Sequence, residues 1–191
     1  MTNLKVLGIV GSPRRGGNSE TLTKIALEEV AKEGIETELI TLADKKIAPC
    51  DACASCRTTG KCHIEDDFQG IFEKMLNSTG FILATPVWFG AATPIMTSLI
   101  SRCYVSRGGS NPFENKVGGP IVVARRAGKN FTFAQLMFFF MIHGMIVPGS
   151  TYWNIAFGRE KGEVAKDEEG LKTARNFGKK MVWLINKIKK P

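Results

Sequence analysis

No apolar run in this sequence approaches the roughly 20 residues that a membrane span requires; the longest lies near Leu136–Ile142. No charged segment followed by an apolar stretch opens the chain, so a secretory leader is not expected and a cytoplasmic location is. Internal repeats and low-complexity linkers are absent. There is no zinc-finger or helix-turn-helix pattern and no aromatic ladder, which makes nucleic acid an unfavoured partner. No hydrolytic triad or working pair of carboxylates stands out, so no catalytic side chain is assigned. Hydrophobic residues at 43% and charged residues at 23% exclude a disordered, collagen-like or coiled-coil chain. A chain of 191 residues fits one domain, 1–191, and buries enough surface to fold without disulfides.

Charge is unevenly placed. The sequence holds 26 basic and 18 acidic residues, a net +8, and from Lys172 onward seven residues are basic and none is acidic. This run reads as the solvated face of a terminal helix, with binding of nucleic acid or an anionic surface, and docking of an acidic partner, as the other uses.

The chain alternates strand and helix signals. Leu4–Val10 is a short β-branched run stopped by Gly11. A helical pattern follows over Ser19–Lys32, with Asn18 or Ser19 as N-cap and Gly34 beyond its end. Thr37–Leu42 is a second strand, and Ala43–Glu65 is cysteine-rich and irregular. Asp66 or Asp67 caps a helix through Leu76. Gly80–Ala84 is a third strand, and Thr93-Pro94 starts a helix to about Tyr104. Gly118–Ala124 is a fourth strand, and Asn130–His143 is an apolar helix. Met145–Val147 and Tyr152–Phe157 compete for the fifth strand. Glu163–Lys189 is an amphipathic helix. Five strands and five helices in this alternation predict an α/β fold, a doubly wound parallel sheet of order 2-1-3-4-5, with ligands at the carboxyl ends of strands one and three.

Two loops fall at that switch point. The first is Gly11-Ser12-Pro13-Arg14-Arg15-Gly16-Gly17-Asn18-Ser19-Glu20-Thr21. Its glycines, hydroxyls, amide and arginines precede a helix start, which favours an anion. The spacing Gly11 to Gly16 resembles a P-loop, but Gly17 stands where the phosphate-gripping Lys belongs. The dinucleotide pattern Gly-x-Gly-x-x-Gly fails as well, so a single terminal phosphate fits better than a pyrophosphate. A polar turn without ligand is the plainer alternative. The second loop, Thr85-Pro86-Val87-Trp88-Phe89-Gly90-Ala91-Ala92-Thr93-Pro94, offers aromatic faces beside small residues, a floor suited to a planar heteroaromatic ring or to a subunit contact. Arg125, Arg126, Ala127 and Gly128, after the fourth strand, fall on the same side.

Four of the five cysteines lie within 13 positions, as Cys50-x-x-Cys53-x-x-Cys56-x5-Cys62. In a cytosolic chain such crowding reads as a metal or redox site. Three cysteines at two-residue gaps suit an iron–sulfur cluster; structural zinc more often splits its ligands into two separated pairs, and reactive thiols are the remaining reading. His63 is a neighbour of this group. Cys103 is expected in the core and His143 at a helix end. Phe138-Phe139-Phe140-Met141 is expected to serve core and dimer interface.

Gly-Ser-Pro-Arg…Gly-Asn-Ser after strand one, with Thr-Pro-Val-Trp-Phe-Gly after strand three, resembles the NAD(P)H-dependent FMN reductase family of flavodoxin-like proteins. Adding the cysteine motif after strand two makes the chain similar to the iron-sulfur flavoproteins. The resemblance implies that Ser12, Arg14, Asn18, Ser19 and Glu20, with Pro13 among them, hold the FMN phosphate. Pro86, Val87, Trp88, Phe89 and Gly90 would line the isoalloxazine ring. Cys50, Cys53, Cys56 and Cys62, in a loop spanning 47–65, would bind a [4Fe-4S] cluster. It further implies a homodimer or homotetramer with the cluster near a subunit interface, and electron exchange with a ferredoxin-like carrier. The alternative is an NAD(P)H-dependent FMN or quinone reductase without an iron–sulfur cluster.

Overall fold

The computed structural model describes residues 4–107 and 111–188. Five strands form one parallel sheet in the order β2-β1-β3-β4-β5: β1 Lys5–Val10, β2 Glu36–Thr41, β3 Gly80–Pro86, β4 Val117–Ala124 and β5 Ile155–Phe157. The helices are α1 Asn18–Ala31, α2 Cys56–Thr59, α3 Phe68–Leu76, α4 Pro94–Arg102, α5 Lys129–Ile142 and α6 Glu168–Ile188. The expected doubly wound order is the observed one. Among the described residues no helix is long and apolar enough to cross a membrane.

The central strands are apolar on both faces because both faces are covered. Leu7, Ile9, Phe81, Leu83 and Val122 meet α3, α4 and α5, whose Phe68, Phe72, Met96, Leu136 and Phe140 are buried. Val6, Val10, Ile82, Ala84, Ile121 and Val123 meet α1 and α6 through Leu22, Ala26, Phe177 and Met181. The helices α1 and α6 approach so closely that a Cβ on Gly178 would stand 2.3 Å from the Ala26 carbonyl oxygen.

The two candidates for the fifth strand divide one edge between them. Ile155–Phe157 pairs with Val122–Ala124 and is β5, while Ile146 makes a single parallel bridge to Val117 at the other end of β4. Three helix boundaries differ from expectation. Gly17, not Asn18 or Ser19, is the N-cap of α1, because Asn18 spends its amide on Glu160 and Val164. The expected final helix is broken: a 3-10 turn over Glu163–Lys166 precedes α6, since the Asp167 carboxylate accepts from Gly170 N–H and Phe157 N–H at 2.9 and 2.7 Å and restarts the helix there. Lys189, its expected end, lies outside the described residues. The helix after Pro94 stops at Arg102 and tightens into a 3-10 turn over Cys103–Arg107. A sixth helix, the single turn α2, lies within the stretch expected to be irregular.

Candidate functional site

The β1–α1 and β3–α4 loops meet at the carboxyl end of the sheet. Their junction is Thr93, whose hydroxyl donates to the Gly11 carbonyl at 2.7 Å, while its own N–H donates to the Thr85 hydroxyl at 3.2 Å. Thr93 occupies the N-cap position of α4 as expected, but its hydroxyl ties the two loops together instead of capping the helix.

Between these loops lies a cleft lined by Ser12, Pro13, Arg14, Asn18 and Ser19 on one side and by Pro86, Val87 and Trp88 on the other. The chain therefore brings together eight of the eleven residues expected around a flavin. The other three stand apart from the lining. The Glu20 carboxylate turns back to accept Gly16 N–H at 2.6 Å and to pair with Lys24. Burial pushes its carboxyl upward, but Lys24 and the Gly16 N–H outweigh that and hold it below the usual range. Phe89 is fully exposed at φ +50°, and Gly90 follows at φ +81°.

Ser12 shapes the turn: its hydroxyl oxygen accepts Arg14 N–H at 3.1 Å. Of the two arginines, Arg14 faces the cleft, whereas Arg15 pairs with Asp44. Asn18 acts as a strut. Its amide donates to the Glu160 carbonyl at 2.8 Å and its oxygen accepts Val164 N–H at 3.2 Å. That strut draws the segment after β5 against the head of α1. Gly158, Arg159 and Lys161 thereby join the cleft, together with Val123, Ala124 and Arg125 from the end of β4. Arg159 and Lys161 were not found from the sequence; their signal, two cations just past the last sheet strand, is weak without knowing where that strand lies. Four cations around a helix N-terminus make a strongly anion-attracting cleft. Nearby, Lys129 is buried with its Nζ over the Phe157 ring; among the described residues the Nζ has no hydrogen-bond partner, and burial lowers its pKa.

The cysteine segment is pinned at its neck. Asp67 Oδ2 accepts Lys46 N–H and Asp66 Oδ2 accepts Ala48 N–H, both at 2.8 Å, so residues 46–48 lie against 66–67. Within the loop, Ala52 and Ala54 both take φ of +59°, which turns the chain tightly between successive cysteines. Cys50, Cys53, Cys56 and Cys62 all line one cavity of about 440 Å³, walled also by Ile64, Arg102, Tyr104 and Val105. Burial raises the pKa of Cys56, and the neighbouring Cys53, Cys62 and Cys50 raise it further. Asp51 accepts Cys53 N–H at 3.2 Å and pairs with His63 Nε2 at 2.7 Å; these contacts, in that order, hold its carboxyl below the usual range. Cys103 is buried in the core as expected, and burial pushes its thiol well up. His143 closes α5, with Nδ1 2.8 Å from the Phe139 carbonyl.

Both donor sets fit the groups the sequence suggested. The cleft supplies the cations and helix start that a phosphate needs. The cavity supplies four soft sulfur ligands from one loop, which suits iron–sulfur or zinc. The cleft and the cavity share no lining residue and lie toward opposite ends of α4, which is about 13 Å long.

A doubly wound sheet with an anion-attracting cleft at its switch point and a four-thiol cavity defines a redox protein of the flavodoxin-like class. The family model described as NADPH-dependent FMN reductase matches residues 4–160. An iron-sulfur flavoprotein of Methanocaldococcus jannaschii is 43% identical over 194 residues, covering 98% of this chain and 100% of that protein. An iron-sulfur flavoprotein of Methanosarcina thermophila is 34% identical over 190 residues, covering 98% of each. The chain belongs to the NADPH-dependent FMN reductase family and, within it, to the iron-sulfur flavoproteins. Among solved structures, RosB with a bound riboflavin-phosphate intermediate superposes with a TM-score of 0.74 at 21% identity, covering 97% of this chain and 80% of that one. A flavodoxin from the domain Archaea superposes at 0.60 with 11% identity, covering 98% and 100%. At such identities these two matches speak to the fold alone.

Proposed function

We propose that this protein is a redox carrier that binds FMN in the cleft between the β1–α1 and β3–α4 loops and a [4Fe-4S] cluster on Cys50, Cys53, Cys56 and Cys62. The observation that carries the reading is that one chain holds a flavodoxin-type anion cleft and also gathers four cysteines around a separate cavity. When bound, the cluster passes electrons singly and FMN stores two, so the pair converts between one- and two-electron chemistry. Arg14, Arg159 and Lys161 neutralise the phosphate at the head of α1. Ser12 and Asn18 shape the cleft by bracing its backbone, while Val87 and Trp88 give a planar ring an apolar wall. The Asp66 and Asp67 neck holds the cysteine loop closed.

The physiological exchange we propose is with a ferredoxin-like one-electron carrier. Its acidic surface would suit a chain of net +8 whose α6 displays Lys172, Arg175, Lys179, Lys180 and Lys187. A homodimer or homotetramer fits the same reading. Phe131, Phe138, Met141 and Ile142 of α5 leave a large apolar area on the surface. The separation of cleft and cavity along α4 leaves room for a second copy to bring the centres together.

The test is anaerobic purification, with iron, acid-labile sulfide and released flavin counted per chain. About four irons, four sulfides and one FMN are expected, and Cys53→Ala should abolish iron while FMN stays bound. The family's description favours one other reading, an NAD(P)H-dependent FMN or quinone reductase without the cluster. FMN with no iron, and rapid saturable NADPH oxidation, would establish that reading and overturn ours.

A further inference from the structure

The four-thiol cavity is closed from below by a residue that no sequence motif marks. Arg102, the last residue of α4, is 1% exposed. Its Nη2 donates to Cys62 Sγ at 3.3 Å and to the Ile64 carbonyl at 3.0 Å. Its Nη1 donates to Asp66 Oδ2 at 2.5 Å and to the Ala48 carbonyl at 3.4 Å. The guanidinium lies over the Phe68 ring at 4.3 Å. Nε–H has no acceptor among the described residues.

A buried guanidinium is costly unless it is paired and its donors are hydrogen-bonded. Asp66 is the one ion-pair partner of this cation among the described residues. Three protein acceptors and one carboxylate leave Nε–H over, beside a cavity of four sulfurs. Cys62 is therefore distinguished from Cys50 and Cys53, which are exposed. It receives a hydrogen bond from a permanently charged donor, the strong kind. Hydrogen bonds to cluster sulfurs and net charge nearby are among the factors that set an iron–sulfur potential.

We propose that Arg102 is a positioning residue for the four-cysteine centre: it fixes Cys62 and, through its hydrogen bond and charge, makes the centre easier to reduce, with Asp66 moderating that effect. The inference rests on the cluster reading above. A positive charge beside the cavity favours the more negative, reduced state, so its removal lowers the potential and removal of the Asp66 charge raises it.

The experiment uses anaerobically purified, cofactor-loaded full chain as wild type, Arg102→Gln, Arg102→Lys and Asp66→Asn. Iron and FMN are counted, and the cluster's midpoint potential is then read by redox titration followed by electron paramagnetic resonance. Arg102→Gln is expected to shift the reduction equilibrium at least about tenfold toward the oxidised form, or ~59 mV for one electron. Arg102→Lys should recover part of that shift, and Asp66→Asn should move the potential the opposite way. FMN content should be unchanged in all three. If Arg102→Gln holds no iron, the opposed shifts in Arg102→Lys and Asp66→Asn still decide the matter. Loaded variants that all keep the wild-type potential overturn the proposal and leave Arg102 a brace. Wild-type protein without iron overturns the cluster reading itself, a different and recognisable result.

Discussion

Thr93→Val isolates the tie between the two cleft loops. The side chain is 1% exposed, and its hydroxyl donates to the Gly11 carbonyl at 2.7 Å. Valine keeps the shape but removes the donor, so the substitution opens no cavity and deprives a buried carbonyl of its partner. Such a loss costs about 1–3 kcal/mol. For a chain of this length each kcal/mol moves the melting temperature by about 2–4 °C, giving a fall of about 2–12 °C. Cofactor-free protein in a thermal scan is the first assay, because bound flavin would add its own stabilisation. Titration with FMN is the second. The bond joins the opposite walls of the cleft, so the dissociation constant should rise as well. Thr93→Ser, which keeps the hydroxyl, should retain most of both properties. A Thr93→Val protein that melts and binds FMN as the wild type does would refute the claim that this bond sets the cleft.

Gly178→Ala places a Cβ 2.3 Å from the Ala26 carbonyl oxygen, forcing α1 and α6 apart. A loss of about 1–3 kcal/mol is expected in urea unfolding, with iron binding unaffected. Asn18→Ala removes both bonds to the segment after β5; stability should fall by about 1–3 kcal/mol and FMN affinity with it, as measured by equilibrium unfolding and flavin titration. Glu20 has a depressed carboxyl pKa in the folded chain. Its contribution is therefore full above the unfolded value near pH 4.5 and disappears as pH falls through the lower folded value. Unfolding between pH 3 and 7 should show a shallower acid loss in Glu20→Gln.

Much of the fold is readable because local chemistry and tertiary structure agree. The β-branched run ending at Gly11, the Thr93-Pro94 helix start and the apolar face of α6 each specify an element whose partners can lie in few places. The fifth strand is different. Met145–Val147 and Tyr152–Phe157 have equal strand character, and the choice depends on which end of β4 each one reaches, a long-range fact. The same holds for Asn18, a natural cap by its neighbours, whose amide is taken by Glu160 and Val164 more than 140 positions away.

The alternation of elements, the anion-attracting loop and the crowding of four cysteines are written locally, since residue type and spacing carry these. Cys50, Cys53, Cys56 and Cys62 are close along the chain. That they line one cavity, that Arg159 and Lys161 return to the cleft, and that Arg102 stands against Cys62 are consequences of how the chain folds back on itself. Those contacts link residues 40 to 145 positions apart. They exist because strand pairing and helix packing bring distant segments together, and no local pattern records where a chain will meet itself.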